Sequence, residues 1–287
     1  MRSSIVVDIG NTGLKAATIL GQMEDGSLAQ IDAEIFYRRW KKSGLPQSKW
    51  NASDLDRDNV DLQDRQAFHQ MVDGMTRGQE GPTEWWISSV QSTALDQLNH
   101  AIQQTRPHDR VCVLRHRDVP MMLNIEFPER LGMDRLFAAW GAWIAQGRSG
   151  AVIVVQVGTA LTMDFVDARG VFQGGTILPG VPLALQLLAS GTDLLPWVSA
   201  PPDFEHIAIP GKNTEQAMLG GVSASLIGGV RWIAERYREQ ASDPRIPIVA
   251  SGGDSPSFSR WLPEPARLID QLVLRSIATL ALKKGFS

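Results

Sequence analysis

A strand-and-turn pattern occurs twice in this sequence, once in each half, and it constrains the fold more than any other feature. The first copy is 3-SSIVVDIGNTGLKA-16 and the second is 151-AVIVVQVGTALTMD-164. In each copy a run of β-branched apolar residues ends in a glycine-containing turn, which predicts a buried strand leading into a tight turn. The position two residues before the glycine is Asp8 in the first copy and Gln156 in the second.

The segments after each copy alternate between strand and helix patterns. Helical spacing predicts helices over 92–104, capped by Ser92 or Thr93, over 132–147, 181–190 and 214–239, and over a closing segment that ends near 284. The polar segment 37–66 is interpreted as a solvated loop that leads into a helix. We therefore predict a duplicated α/β protein, with an N-terminal domain over 1–146 and a C-terminal domain over 147–287.

Composition excludes several classes of function. The 28 basic and 31 acidic residues give a formal net charge of -3, so the overall charge provides no general attraction to nucleic acid or to acidic lipid. The single cysteine, Cys112, cannot form an internal disulfide, and no Cys/His cluster indicates zinc. A strand pattern begins almost at residue 1, and glycine and proline interrupt the uncharged stretch 171–192. We expect a cytoplasmic protein with neither a nucleic-acid nor a membrane partner.

The glycine-rich turn in 8-DIGNTGLK-15 is a candidate phosphate site. Gly10 permits close approach of a phosphate, and Asn11 and Thr12 offer hydrogen-bond donors. Asp8 could hold a hydrated divalent cation, and Lys15 could reach a transferring phosphoryl group. The alternative is an ordinary hairpin with a hydrogen-bonded Asn-Thr-Gly turn. The second copy favours the phosphate interpretation, because two such turns can hold a triphosphate between two domains.

The segment 132-GMDR-135 opens a predicted helix and offers a candidate base. Asp134 lies near the helix N-terminus, which stabilises its anionic form, and an ionised carboxylate can accept a hydroxyl proton. Arg135 can bind an anionic group of a substrate. The alternative is an ordinary acidic residue in a first helical turn. The sequence contains no P-loop, dinucleotide, HExxH or GxSxG motif.

Seven motifs in order resemble one family, the type III pantothenate kinases. They are DIGNTGLK, GMDR, GTALTMDF, FQGGTILPG, TDLLP, GKNTEQAMLGG and ASGGD. The family belongs to the superfamily of acetate kinase, sugar kinases and actin-like ATPases. The resemblance implies an α/β fold of two ribonuclease H-like domains with mixed sheets flanked by helices. It also implies ATP-dependent phosphorylation of pantothenate, the first step of coenzyme A biosynthesis.

The resemblance also implies roles for individual residues. Asp134 matches the catalytic base, and Gly132, Met133 and Arg135 complete the pantothenate-binding stretch. Thr192 matches a threonine that closes the substrate pocket from the second subunit of a homodimer. The expected cations are Mg²⁺, held by Asp8 through water, and K⁺ or NH₄⁺. The residues expected to bind the ATP phosphates are Asp8, Ile9, Gly10, Asn11, Thr12, Gly13, Leu14, Lys15, Gly158 and Thr159.

This sequence departs from the family pattern at three places. Gln156 occupies the position of an aspartate that helps bind the monovalent cation. No tyrosine precedes GMDR, where Ile125 and Phe127 stand instead, and Ser276 replaces a common glycine. Two other functions therefore remain open at this stage. The chain could be a non-catalytic or weakly active accessory relative that binds nucleotide, or a kinase for another small hydroxylated acid.

Overall fold

A computed structural model describes residues 3–20, 27–40, 59–201 and 207–285. The chain forms two compact units. Unit 1 comprises Met1–Pro120, Glu129–Ala145 and Val273–Ser287, and unit 2 comprises Met121–Pro128 and Gln146–Leu272. The main border lies beside the predicted domain boundary, but two short segments differ from the predicted domains. Of the segment 37–66 that is predicted to be a solvated loop, 41–58 lie outside the described residues. The prediction is wrong for 37–40 and 59–60, which belong to strands.

Specific contacts place the segment 121–128 in unit 2 and the segment 273–287 in unit 1. A short strand near residue 122 pairs with a strand of unit 2, so 121–128 belongs there. The closing helix is attached to unit 1 at Ala29, whose N–H donates to Thr279 Oγ1 at 2.9 Å and whose carbonyl accepts from Arg275 Nε at 3.2 Å. Neither pairing follows from helix or strand periodicity.

Unit 1 contains a seven-stranded sheet and four α-helices among its described residues. The strand order is β5-β4-β2-β1-β6-β7, with β3 paired to β2. Strands β1 and β2 form an antiparallel hairpin, and β6 and β7 continue the sheet in parallel. The elements are β1 Ser3–Ile9, β2 Gly13–Leu20, β3 Gln30–Ile31, β4 Phe36–Trp40, β5 Asn59–Val60, α1 Arg65–Met75, β6 Thr83–Ser89, α2 Ser92–Thr105, β7 Arg110–Val113, α3 Met133–Ala145 and the closing helix α7 Leu272–Lys284.

Unit 2 repeats this topology. Its sheet has the order β13-β12-β9-β10-β11-β8, in which β9 and β10 form the antiparallel hairpin and β12 and β13 continue it in parallel. The prediction of a duplicated α/β protein with mixed sheets is therefore confirmed. The elements are β8 Met122–Leu123, β9 Val152–Val157, β10 Ala160–Val166, β11 Val171–Pro179, α4 Val181–Ser190, α5 Thr214–Gln240, β12 Ile248–Ser251, α6 Ser255–Phe258 and β13 Ala266–Leu268.

Each unit has its own apolar core. In unit 1 alternate residues of β1, among them Ile5, Val7 and Ile9, pack with residues of α1 and α2. In unit 2 alternate residues of β9 and β10 pack with α4 and α5. Because strand side chains alternate between faces, the remaining residues of β1 and β9 lie on the opposite faces of their sheets.

Two details of the helices were not predicted. Helix α2 is capped by Gln91, whose side chain accepts from Ala94 N–H at 2.9 Å, rather than by Ser92 or Thr93. Helix α5 is the one described helix that is long and apolar enough to span a membrane. Its residues Met218, Val222 and Val230 belong to the core of unit 2, and core helices of folded domains pass the same test.

Candidate active site

The first glycine-rich turn emerges from the end of β1 in unit 1. Asp8 pairs with Lys15 and Ile9 pairs with Leu14 across the β1–β2 hairpin. The Gly10 N–H donates to the Gly13 carbonyl at 2.8 Å and closes the turn. Ile9 and Leu14 are fully buried in the core, so only their backbones are available to a ligand.

Strand β4 fixes this turn from one side. A Cβ at Gly13 would overlap the Arg38 carbonyl, so glycine is required where β4 approaches. Trp40, the last residue of β4, donates its indole N–H to the Gly10 carbonyl at 2.9 Å. Its backbone N–H donates to the Thr12 carbonyl at 3.0 Å. Two carbonyls of the turn are thus held by one residue.

Three polar residues form a row across three strands of unit 1. Asp8 in β1 is the register partner of Lys15 in β2 and of Ser88 in β6. Their chain neighbours Val7, Leu14 and Ile87 belong to the core on the other face. Directly paired residues share a face of the sheet, so Lys15, Asp8 and Ser88 are neighbours there.

The environment of Asp8 favours its protonated form in the free protein. The pKa of this half-buried carboxyl is raised to about 7. Burial is the largest cause, the negative charge of Asp134 adds to it, and the positive charge of Lys15 acts in the opposite direction. Asp134 therefore lies close enough to Asp8 for the two carboxylates to repel each other. A site with this charge pattern would gain stability from a bound cation.

The start of α3 positions Asp134. The helix follows Gly132, whose carbonyl accepts from Leu136 N–H at 3.1 Å. Asp134 Oδ1 accepts from the Arg135 N–H at 2.8 Å. His116 Nε2 lies 2.6 Å from the Leu131 carbonyl and fixes the segment before the helix. The carboxylate thus has a defined position in the first helical turn, where the helix dipole favours a negative charge.

The row in unit 1 fits a hydrated divalent cation. Ser88 is fully buried, and its Oγ has no hydrogen-bond partner. A buried hydroxyl without a partner is costly, so a polar ligand beside it would be stabilised. Carboxylate oxygens and water are the ligands that Mg²⁺ prefers. Within the described ranges no group of three or more His, Cys, Asp or Glu side chains lies together, so any cation here would keep several waters.

The second turn, in unit 2, is fixed by glycines. The Gly158 N–H donates to the Ala160 carbonyl at 3.2 Å, and the Gly180 N–H donates to the Thr159 carbonyl at 2.9 Å. A Cβ at Gly180 would overlap the Gly158 carbonyl, and one at Gly252 would overlap the Val157 carbonyl. The GGTILPG and ASGGD segments therefore support the turn. Thr159 itself is exposed.

Gln156 occupies the position in unit 2 that Asp8 has in unit 1. It pairs with Thr162 in β10 and with Ser251 in β12, which gives a second row of polar side chains. Thr162 is buried and its Oγ1 has no hydrogen-bond partner. The row therefore offers amide and hydroxyl oxygens without a carboxylate.

Thr192 lies just beyond α4 in a segment with exposed apolar side chains. Its hydroxyl donates to the Leu188 carbonyl at 2.9 Å. Leu187 is 54% exposed and Leu194 is 93% exposed. Such exposure of large aliphatic groups is typical of a surface that binds a protein partner.

Unit 1 brings together Asp8, Lys15 and Asp134, whereas Gly158, Thr159, Gln156 and Thr192 belong to unit 2. Of the remaining predicted residues, Met133 is buried and Arg135 is half-buried. Sequence reasoning missed Trp40 and Ser88. The SSV sequence at the end of a buried strand was a usable signal for Ser88, because polar residues at the end of a strand parallel to β1 lie at the same edge of the sheet.

Solved structures with the same fold support this architecture. The chain matches a putative Baf family transcriptional activator from Campylobacter jejuni with a TM-score of 0.53 at 14% identity, over 98% of both chains. It matches a putative N-acetylmannosamine kinase from Listeria monocytogenes with a TM-score of 0.50 at 11% identity, over 99% of this chain and 100% of the other. These two matches show a shared fold, in which mixed sheets are flanked by helices.

Sequence comparison identifies the family. The sequence profile of type III pantothenate kinases matches residues 4–236, and the chain belongs to this family. It is 38% identical over 178 residues to the type III pantothenate kinase of Rhodopirellula baltica and 39% identical over 159 residues to that of Dechloromonas aromatica. These matches cover 60% and 54% of this chain. They span 62% and 61% of the two relatives.

Proposed function

We propose that this chain transfers the γ-phosphoryl group of ATP to the primary hydroxyl of pantothenate. The observation that supports this most directly is that the carboxyl groups of Asp8 and Asp134 lie close enough to repel each other. They lie 126 positions apart in the sequence, yet they interact within unit 1 beside Lys15. Membership of the type III pantothenate kinase family supports the choice of substrates.

In this proposal Asp134 orients the acceptor and takes its proton. As the hydroxyl oxygen bonds to the γ-phosphorus, the bond from phosphorus to the bridging oxygen breaks and ADP leaves. The hydroxyl proton passes to the Asp134 carboxylate. Arg135, the next residue in α3, binds an anionic group of the acceptor.

The first turn binds ATP phosphates through its backbone and through Asn11 and Thr12, and Lys15 contributes a positive charge. Thr159 contributes a donor from the second motif. Asp8 would hold Mg²⁺ through water, and the bound cation would supply positive charge beside the phosphate oxygens. Gln156 marks the position of the monovalent cation, K⁺ or NH₄⁺.

We further propose a cytoplasmic homodimer, in which Thr192 serves the partner subunit's site. The exposure of Leu187 and Leu194 on either side of Thr192 supports this, because self-association would bury them.

A coupled assay of ADP release with pantothenate and MgATP tests the activity. Asp134→Asn should reduce kcat by at least about 100-fold, since it removes the proton acceptor. Asp96→Asn, on the exposed face of α2, is the matched control and should retain wild-type rates. The absence of pantothenate turnover by the wild type across varied K⁺ and NH₄⁺ would overturn the proposal, and a panel of other hydroxylated acids would then identify the acceptor.

A further inference from the structure

Trp40 contacts the first phosphate motif from outside it. Its indole N–H donates to the Gly10 carbonyl at 2.9 Å, and its backbone N–H donates to the Thr12 carbonyl at 3.0 Å. The side chain is 7% exposed, and its ring stacks on Phe68 with centroids 6.0 Å apart. The residue that holds the turn is therefore itself fixed by the core of unit 1.

These bonds determine the direction of backbone donors in the turn. A trans peptide unit is planar, and its C=O and N–H groups point in opposite directions. The Gly10 carbonyl points at the buried indole, so the N–H of Asn11 in the same peptide unit points away from it. Asn11 is exposed, and its N–H is thus directed to the side where a ligand can approach.

We propose that Trp40 is a positioning residue for nucleotide binding, which orients the Asn11 amide toward a phosphate of ATP through its bond to Gly10. This rests on the proposed function, in that the turn binds ATP phosphates. Backbone amides bind anions well only when their directions are fixed before the ligand arrives. The hydrogen bond from the indole N–H fixes the direction of the Asn11 amide, whereas the ring of Trp40 packs in the core.

Trp85 provides a matched control in the same core. It is fully buried in the same cluster, and its indole N–H donates to Asp109 Oδ2 at 2.8 Å. Its partner is therefore a side chain that also bonds to Arg106, and not the turn. Loss of either indole N–H removes one buried hydrogen bond, but only Trp40 contacts the turn.

The experiment compares Trp40→Phe with Trp85→Phe in the full chain. A non-hydrolysable ATP analogue with Mg²⁺ is titrated by calorimetry, and KM for ATP, KM for pantothenate and kcat are measured. Trp40→Phe should weaken analogue binding and raise KM for ATP by about tenfold. KM for pantothenate should stay within about twofold of the wild-type value. Trp85→Phe should lower thermal stability while it leaves both KM values unchanged.

Equal analogue affinity in Trp40→Phe and Trp85→Phe would overturn the proposal, as would wild-type protein that binds no nucleotide. If Trp40→Phe does not fold, 3-benzothienylalanine at position 40 keeps the bicyclic shape and removes only the N–H, and the same weakening is expected. The calorimetric titration measures nucleotide binding without pantothenate, so it tests the role of Trp40 independently of the acceptor. If the wild type binds the nucleotide normally but does not phosphorylate pantothenate, only the proposal that pantothenate is the acceptor is contradicted.

Discussion

Gly132 and Asp134 are packed so closely that a Cβ at position 132 would lie 2.5 Å from Asp134 Oδ1. The side chain of Asp134 turns back over Gly132, the residue that precedes α3. In this position it accepts a hydrogen bond from the Arg135 N–H. The glycine of the GMDR segment thus has a specific role in setting where the carboxylate lies, apart from any contact with substrate.

Gly132→Ala should therefore move the proposed base without removing it. A methyl group at this position displaces the carboxylate by rotation of its flexible side chain, so the fold should tolerate it. We expect kcat to fall about 10- to 100-fold, because small displacements of a catalytic group are costly, while the melting temperature changes little. Gly81→Ala is the control, since a Cβ there meets nothing within 4 Å. Unchanged kcat in Gly132→Ala would argue against Asp134 as the base.

Asp8 links stability to pH. Its pKa is raised to about 7 in the folded protein, from an ordinary value of 3.8, chiefly by burial and then by Asp134. Between about pH 4 and pH 7 the folded state keeps a proton that the unfolded chain releases. The stability contributed by the neutral carboxyl is therefore fully present below pH 4 and is lost as the pH rises through 7.

Asp8→Asn should remove this loss because an amide does not ionise. The quantity to compare is the free energy of unfolding of the variant minus that of the wild type. With allowance for the partial exposure of the carboxyl, this difference should be about 2 kcal/mol larger at pH 8 than at pH 4. Urea unfolding at the two pH values measures this difference. Asp96→Asn should show the wild-type pH slope. If Asp8→Asn shows that slope as well, the pKa of Asp8 is not raised in the folded protein.

Local patterns predicted the strands, most helices and the motifs that carry Asp8 and Asp134, because each motif lies within a few residues of one strand end or helix start. The neighbours of those residues were not predictable in this way. Ser88 lies beside Asp8 only because β1 pairs with β6, and Trp40 reaches Gly10 only because β4 lies next to β2. Strand order is set by packing over the whole unit, so it cannot be predicted from the spacing of apolar residues.

The hydroxyl of Ser88 should matter when Mg²⁺ is bound and not for the free protein. Ser88→Ala removes a buried hydroxyl that has no partner, so the stability of the free protein should not fall. If the hydroxyl bonds to a water around Mg²⁺ or to Asp8 once the site is filled, the Mg²⁺ concentration for half-maximal rate should rise about 3- to 10-fold. Ser223→Ala, at an equally buried unpartnered hydroxyl in α5, is the control. Identical Mg²⁺ dependence in both variants would remove Ser88 from the site.

Leu194 tests the proposed dimer. Its side chain is 93% exposed two residues from Thr192, where a partner would cover it. Leu194→Glu should convert a dimer to monomers in light scattering at micromolar concentration, since a carboxylate is costly to bury. KM for pantothenate should rise as the Thr192 of the partner is lost. Leu268→Glu, at an exposed leucine on β13, should leave the mass unchanged. A monomeric wild type would contradict the proposal directly.

Gln156→Asp tests the second polar row. The amide of Gln156, with Thr162 and Ser251 as its neighbours, offers oxygen ligands but no negative charge for a monovalent cation. A carboxylate at this position strengthens cation binding. We expect the rate of the aspartate variant to increase several-fold when K⁺ replaces Na⁺, with a much smaller change in the wild type and in Gln156→Asn. Should the wild type already depend strongly on K⁺, the neutral row is itself sufficient for the cation. If K⁺ affects none of the three proteins, this position does not contact a monovalent cation at all.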